Sequence, residues 1–276
     1  MKRITMGTFL LFLTILFNLG WSQIEQPYPP LNLVSIPTAG TLPRGSFTLE
    51  SLLITDGGMV PRLSVGFTDN FSFGVSFGVQ NLIGRNKPSI NKTTPEVQIK
   101  YRIFDESDKK PALVCGLDNQ GRGLYHAVDS IFTHGIFDST VTLNRYDQKA
   151  WGMYIVMSKN WNFLGNLGLH AGISKSLSEN DDGDKDINVF FGFDKELNRS
   201  FSLLVEYDTA LNDNLTDGDY ALNDITFGKG KGYLNAGIRW AMSSNLMLEI
   251  NFNNINQNTE AEYTNREVKV MYSESF

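Results

Sequence analysis

Phe71, Phe73, Val75, Phe77 and Val79 alternate with Ser72, Gly74, Ser76, Gly78 and Gln80. A period of two sets every apolar residue of this stretch on one strand face and leaves the other face small and polar. The pattern recurs. Phe47, Leu49 and Leu53 alternate with Thr48, Glu50 and Leu52; Leu63, Val65 and Phe67 with Arg62, Ser64 and Gly66; Val97, Ile99, Tyr101 and Ile103 with Gln98, Lys100 and Arg102. Ala112 to Asp118 reads as a fifth strand, and Trp151, Met153, Ile155 and Met157 mark a sixth. Leu167 to Ile173, Ile187 to Phe193, Phe201 to Tyr207, Leu234 to Trp240, Leu246 to Phe252 and Val268 to Tyr272 continue the series. The pattern predicts about 12 strands of about 9–11 residues, the length a tilted strand needs to cross a bilayer.

Connections after Thr68, Asp105, Asn160, Asn198 and Ser243 are short, and those after Gly84, Asn119, Glu179, Thr209 and Ile255 are long. Asn119 to Tyr146 is the least regular stretch and reads as a long loop with room for a short extra strand. Alternating short and long connections are the habit of up-and-down membrane barrels. A spanning structure made of strands must close on itself, because lipid satisfies no backbone polar group. The expected fold is therefore all-β, an antiparallel up-and-down transmembrane β-barrel of about 12 strands. Aromatic residues at strand ends (Phe71, Trp151, Trp161, Tyr207, Trp240 and Tyr272) are expected on the outward face as an interfacial girdle.

The first residues change the picture from sheet to export. Lys2 and Arg3 precede the apolar run Thr8 to Leu19 and then Gly20-Trp21-Ser22. This is the layout of a secretory signal peptide. The expected organisation is a cleaved signal peptide over 1–22, a Pro-rich segment over 23–44 and a barrel over 45–276, placed in the bacterial outer membrane. The Pro-rich segment reads either as a periplasmic tail or as a stretch tucked into the lumen. With 41% hydrophobic residues the chain still embeds as a barrel, because a barrel strand gives lipid only alternate residues. Net charge is −6; without Lys2 and Arg3, 22 basic face 30 acidic residues, giving −8. That balance argues against a nucleic-acid partner. Cys115 is the one cysteine, so no intramolecular disulfide forms.

The inward positions carry the candidate chemistry. Arg62, Lys100, Arg102, Asp194, Glu206, Asp208, Arg239 and Glu249 are the candidate lumen-lining residues, with Glu50 on the same side. Such charges must be hydrated or paired, either as a salt-bridged filling or as a lining that selects a polar solute. His170 shares a strand face with Ser174, a loose pairing; no Gly-x-Ser-x-Gly surrounds a suitable serine, so no catalytic residue and no enzymatic activity are expected. Asp181 to Asp186 lacks the order of a calcium loop, and Gly228 to Gly232 lacks the Ser or Thr of a phosphate loop. No metal and no cofactor are expected. Phe276, with Tyr272 on an outward face, has the form of the signal read by the barrel-assembly machinery.

Several blocks, in order along most of the chain, resemble YjbH-type outer-membrane proteins linked to exopolysaccharide production. They include Pro37 to Gly45, Ser64 to Asp69, Val97 to Arg102, Gly116 to Gly121, Val205 to Asp208 and Gly232 to Trp240. The resemblance implies a barrel in the outer membrane and a role in envelope biogenesis, with exopolysaccharide export or secretion as the lead. Expected partners are outer-membrane lipid, the barrel-assembly machinery, and a polysaccharide or an envelope protein. The resemblance carries no catalytic residue. The chain is much shorter than YjbH, so at most one barrel is matched. The alternative expectation is a porin-like channel or transporter for a small polar solute.

Overall fold

Alternation becomes architecture once both edges of the sheet are paired. The computed structural model describes residues 29–54, 57–134, 137–180, 184–214, 228–258 and 264–276. The expected signal peptide, Asp181-Asp182-Gly183 of the acidic loop and 215–227 of the loop after Thr209 lie outside the described residues. Sixteen strands are described: β1 Ser46–Ile54, β2 Gly58–Thr68, β3 Phe71–Ser76, β4 Val79–Gln80, β5 Ser89–Ile90, β6 Glu96–Phe104, β7 Ala112–Asp118 and β8 Arg122–His134 in the first half. The second half holds β9 Phe137–Gln148, β10 Gly152–Asn162, β11 Asn166–Lys175, β12 Asn188–Glu196, β13 Phe201–Asp208, β14 Tyr233–Ala241, β15 Leu246–Asn253 and β16 Asn265–Ser275.

Twelve of these form one antiparallel ring. β1 pairs with β16 on one side, Ser46 opposite Ser275, and with β2 on the other, Phe47 opposite Val65. The order from β16 runs back through β15, β14, β13, β12, β11, β10, β7, β6 and β3 to β2, so no edge is left open. β4 pairs Val79 with Met59 in the register that β3 sets against β2, and continues that strand past a break at Phe77-Gly78. Among the described residues no helix is long and apolar enough to cross a membrane; the strands do the crossing.

Along most strands of the ring, buried inward positions alternate with more exposed outward ones. On β10, Ile155 is 47% exposed while its neighbour Val156 is 0% exposed. Met153, Met157, Phe191, Ile238 and Ile250 are likewise exposed on the outside, while Ser72, Ser76, Asn235 and Glu249 are buried inside. A soluble protein does not show a continuous apolar belt of this kind to water; the outside of this molecule is built for lipid. The start of β1, the end of β16 and the connections β2–β3, β6–β7, β10–β11, β12–β13 and β14–β15 gather at one end, and the long loops at the other.

Two sequence expectations are corrected. The stretch Asn119 to Tyr146 is mostly the long hairpin β8–β9, paired from Arg122↔Gln148 to His134↔Phe137 as a separate two-stranded sheet. It escaped the reading because neither of its alternating faces is wholly apolar. Trp151 is not part of an outer girdle. Gly152 and Met153 both stand opposite Lys175, a β-bulge, and Gly152 has φ +60. The extra residue reverses the alternation, so the Trp151 ring turns inward, 4.9 Å from Phe190, and its Nε1 donates to Ser35 O at 3.2 Å.

The described part of the Pro-rich segment takes the lumenal one of the two alternatives. Residues 29–43 enter from the short-turn end, turn at Leu33 to Ile36 and return. Leu33 N–H donates to Ile36 O at 3.0 Å, Thr38 N–H to Leu31 O at 3.1 Å, and Asn32 bridges Pro37. Leu33, Val34, Ile36 and Ala39 pack on an inward apolar patch formed by Ala112, Val114, Tyr154, Val156, Phe190 and Leu204. Leu31 and Leu42 sit lower, against Ala241, Met247 and Met271. Burying each large apolar side chain is worth about 1.5–3 kcal/mol.

Candidate functional site

The lumen of the barrel is the candidate site, and the plug occupies it. β13 and β14 present Glu206 and Asn235 at facing positions of one register pair. The Glu206 carboxylate accepts Ser35 N–H at 2.9 Å, Ile36 N–H at 3.1 Å and the Ser35 hydroxyl, while Asn235 Nδ2 donates to it at 2.8 Å. Across the lumen on β6, Lys100 Nζ donates to the carbonyls of Leu31, Thr38 (3.2 Å) and Gly40 (3.5 Å). Arg239 Nη2 reaches Asn32 O at 2.9 Å, and Arg122 Nη2 reaches Val34 O at 2.5 Å. Ala39 N–H donates to Ser158 Oγ at 2.8 Å.

Around the plug the wall and the first residue of the β8–β9 hairpin pair their charges. Glu249 holds Arg239 at 2.5 Å and Lys269 at 2.8 Å; Arg122 meets Glu267 at 2.6 Å, and Arg62 meets Asp118 at 3.1 Å. Asp194 accepts from His170 Nε2 at 2.8 Å, and His170 Nδ1 lies 2.7 Å from Ser158 Oγ. An Nε2–H donor to the carboxylate leaves Nδ1 to accept the serine O–H. Serine, histidine and aspartate in a row have the types of a hydrolytic triad. Here all three are buried and the serine oxygen is capped by Ala39, so the row anchors the plug. His170 takes Ser158 as its hydroxyl partner; the loose pairing with Ser174 read from the sequence is replaced.

At the long-loop end a second buried network forms. Asp213 takes both Nη atoms of Arg145 at 2.8 and 3.1 Å, and Tyr233 Oη donates to it at 3.2 Å. Glu179 accepts N–H bonds from Tyr146 at 2.9 Å and Ala150 at 2.5 Å. Burial pushes the Glu179 carboxyl up to about 7, against the opposing pull of those two N–H groups and of Arg145 and Lys92. A small cavity of mixed polar and apolar lining, with Glu50, Arg62, Asp118, Arg122, Trp151 and Lys269 around it, remains beside the plug tip.

Of the expected lining residues, Arg62, Lys100, Asp194, Glu206, Arg239 and Glu249 converge inside the barrel. Asp208 closes its long-loop end, accepting from Asn188 Nδ2 at 2.5 Å. Arg102 lies at the short-turn rim, paired with Asp105 at 3.1 Å. Tyr272 and Phe276 flank Phe47 at the β1–β16 seam, with ring centroids 6.3 and 6.0 Å away. The sequence reading passed over Asp118, Lys269, Glu267 and Arg122. Asp118, Lys269 and Glu267 were signalled as polar alternates of apolar strands; Arg122 begins a hairpin whose faces gave no such signal. Cys115 is a free thiol.

Fold and lumen together define a plugged, closed membrane β-barrel. No family model matches the sequence, and no curated protein matches it. Among solved structures it is similar to a KdgM porin, with 9% identity and TM-score 0.46 over 84% of this chain and 99% of that one. A KdgM porin in complex with disordered oligogalacturonate gives 11% and 0.47 over the same shares, and a NanC porin gives 10% and 0.40 over 83% and 99%. These likenesses are too distant to add to the argument; the barrel stands on its own strand pairings.

Proposed function

We propose that this protein is a bacterial outer-membrane channel for a small polar solute, closed in the present conformation by its own N-terminal segment. One observation carries the reading. The occupant of a charged, polar lumen is a turn of chain that enters and leaves at the same end, and it is not a strand of the barrel wall. A barrel of about 12 strands is wide enough to hold a lumen once such a filling is gone. The proposal includes export by the N-terminal signal, surrounding outer-membrane lipid, and recognition of Tyr272 and Phe276 by the assembly machinery. It includes no catalytic step.

The test is conductance in planar bilayers. The full chain is expected to be silent or to flicker, and a chain lacking residues 23–43 to give stable steps. The truncated barrel must first shift on gels upon heating, as closed barrels do. A heat-shifting truncated barrel that stays silent would overturn the channel and favour envelope biogenesis through a partner, the role implied by the YjbH-type resemblance, which rests on the sequence blocks alone.

A further inference from the structure

We propose that the seat of the plug is a binding site for short peptides, recognised through their main chain; this deepens the channel reading and rests on it. The wall, with Arg122 at the start of the β8–β9 hairpin and Trp151 just before β10, reads the plug almost entirely by backbone atoms. Lys100, Arg239 and Arg122 donate to carbonyls of Leu31, Thr38, Gly40, Asn32 and Val34, and Trp151 Nε1 donates to Ser35 O. Glu206 accepts the N–H groups of Ser35 and Ile36, and Ser158 that of Ala39. Donors and acceptors of the wall thus alternate with those of a peptide. The side chains of the plug tip contribute mainly apolar contact, Leu33, Val34 and Ile36 on the patch around Phe190 and Leu204. A solute that satisfies this seat carries amide carbonyls, amide N–H groups and small aliphatic side chains.

Two residues sharpen the class. Arg239, Arg122 and Arg62 each have a carboxylate within the wall, but Lys100 has none within 4.0 Å among the described residues, and its acceptors are plug carbonyls. Glu206 has no cation at that distance; its donors are plug groups and the Asn235 amide. A buried charge with no ion-pair partner within 4.0 Å leans on aligned dipoles, and the peptide dipoles of the plug supply them for both Lys100 and Glu206. β6 and β13 stand five places apart in the ring of twelve, on nearly opposing walls. Withdrawal of the plug therefore leaves an ammonium facing a carboxylate across an apolar patch. That pair complements the carboxylate and ammonium ends of a free peptide, as well as its amides. A sugar offers hydroxyl groups to both charges, but it has neither the amide pattern of the plug nor aliphatic side chains for the patch.

The experiment uses the heat-shifting barrel lacking residues 23–43 in planar bilayers. A synthetic peptide spanning Pro29 to Arg44, an aliphatic tripeptide and a neutral oligosaccharide are added in turn. Both peptides are expected to interrupt the current, and the oligosaccharide to leave it unchanged. Half-blocking concentrations should rise at least tenfold in Lys100→Met and in Glu206→Gln, each compared with its own unblocked current. Steady conductance that neither peptide interrupts, block by the oligosaccharide in preference to the peptides, or block indifferent to both substitutions would overturn the peptide site and leave the channel standing. Absence of any conductance would overturn the channel itself. If the truncated chain does not fold, a protease site placed at Arg44-Gly45 of the full chain allows the plug to be cut after folding. Exchange of the cut segment for fluorescent 29–44 peptide, read by anisotropy, then supports the site, and retention of the segment against a large peptide excess overturns it.

Discussion

Single residues in this barrel are set by what each must do with its charge. Glu179, in the β11–β12 loop, is the clearest case. Its folded value, about 7, lies above the ordinary 4.5 because burial disfavours the carboxylate more than the N–H groups of Tyr146 and Ala150 favour it. A raised value means that the folded state holds the proton more tightly than the unfolded chain. The associated stabilisation is complete below about pH 4.5 and is lost as pH rises through about 7. The temperature of the gel shift should therefore fall between pH 5 and pH 8 in the native chain. Glu179→Gln should flatten that dependence; an unchanged slope would place it on other groups. At this scale the inward charges Arg62, Lys100, Glu206, Arg239 and Glu249 were legible as polar alternates of apolar strands. Their partners were not. That Glu249 serves two cations while Glu206 serves none is decided by strands far apart in sequence.

Elements follow their period until one residue is added. β10 alternates as its sequence predicts from Met153 onward, yet Trp151 faces inward because the bulge at Gly152 inserts a residue against Lys175. The left-handed φ of Gly152 costs a side chain about 1–2 kcal/mol, and a Cβ there would lie 2.2 Å from Lys175 O. Gly152→Val is expected to remove the bulge and swing Trp151 outward, lowering the denaturant midpoint and bringing the indole within reach of brominated-lipid quenching. Unchanged quenching would show that the bulge does not orient the ring. The hairpin β8–β9 shows the same limit from the other side. Its strands stand outside the ring of twelve as a separate sheet, and their sequence carries no one-sided pattern to be read.

The whole molecule is a closed ring, apolar outside and filled inside by its own chain. The outer belt makes a direct prediction. Ile155→Arg places a charge on the lipid face near the middle of β10 and should cost about 2–4 kcal/mol in unfolding from bilayer vesicles if it sits near the midplane. A loss below 0.5 kcal/mol, on the order expected of a water-exposed surface change, would argue against lipid contact there. The sequence by itself determined the strand-by-strand alternation, the number of crossings, the segregation of short turns from long loops and the polarity of the lumen. These depend on neighbours in sequence and on the rule that strands in lipid must close. Tertiary structure alone decided that residues 29–43 fill the lumen, that Trp151 points into it and which charge meets which. Leu33, Val34 and Ile36 carry no period of their own; their place is set by the patch of Val114, Val156, Phe190 and Leu204, which exists only after four strands have been brought into one wall.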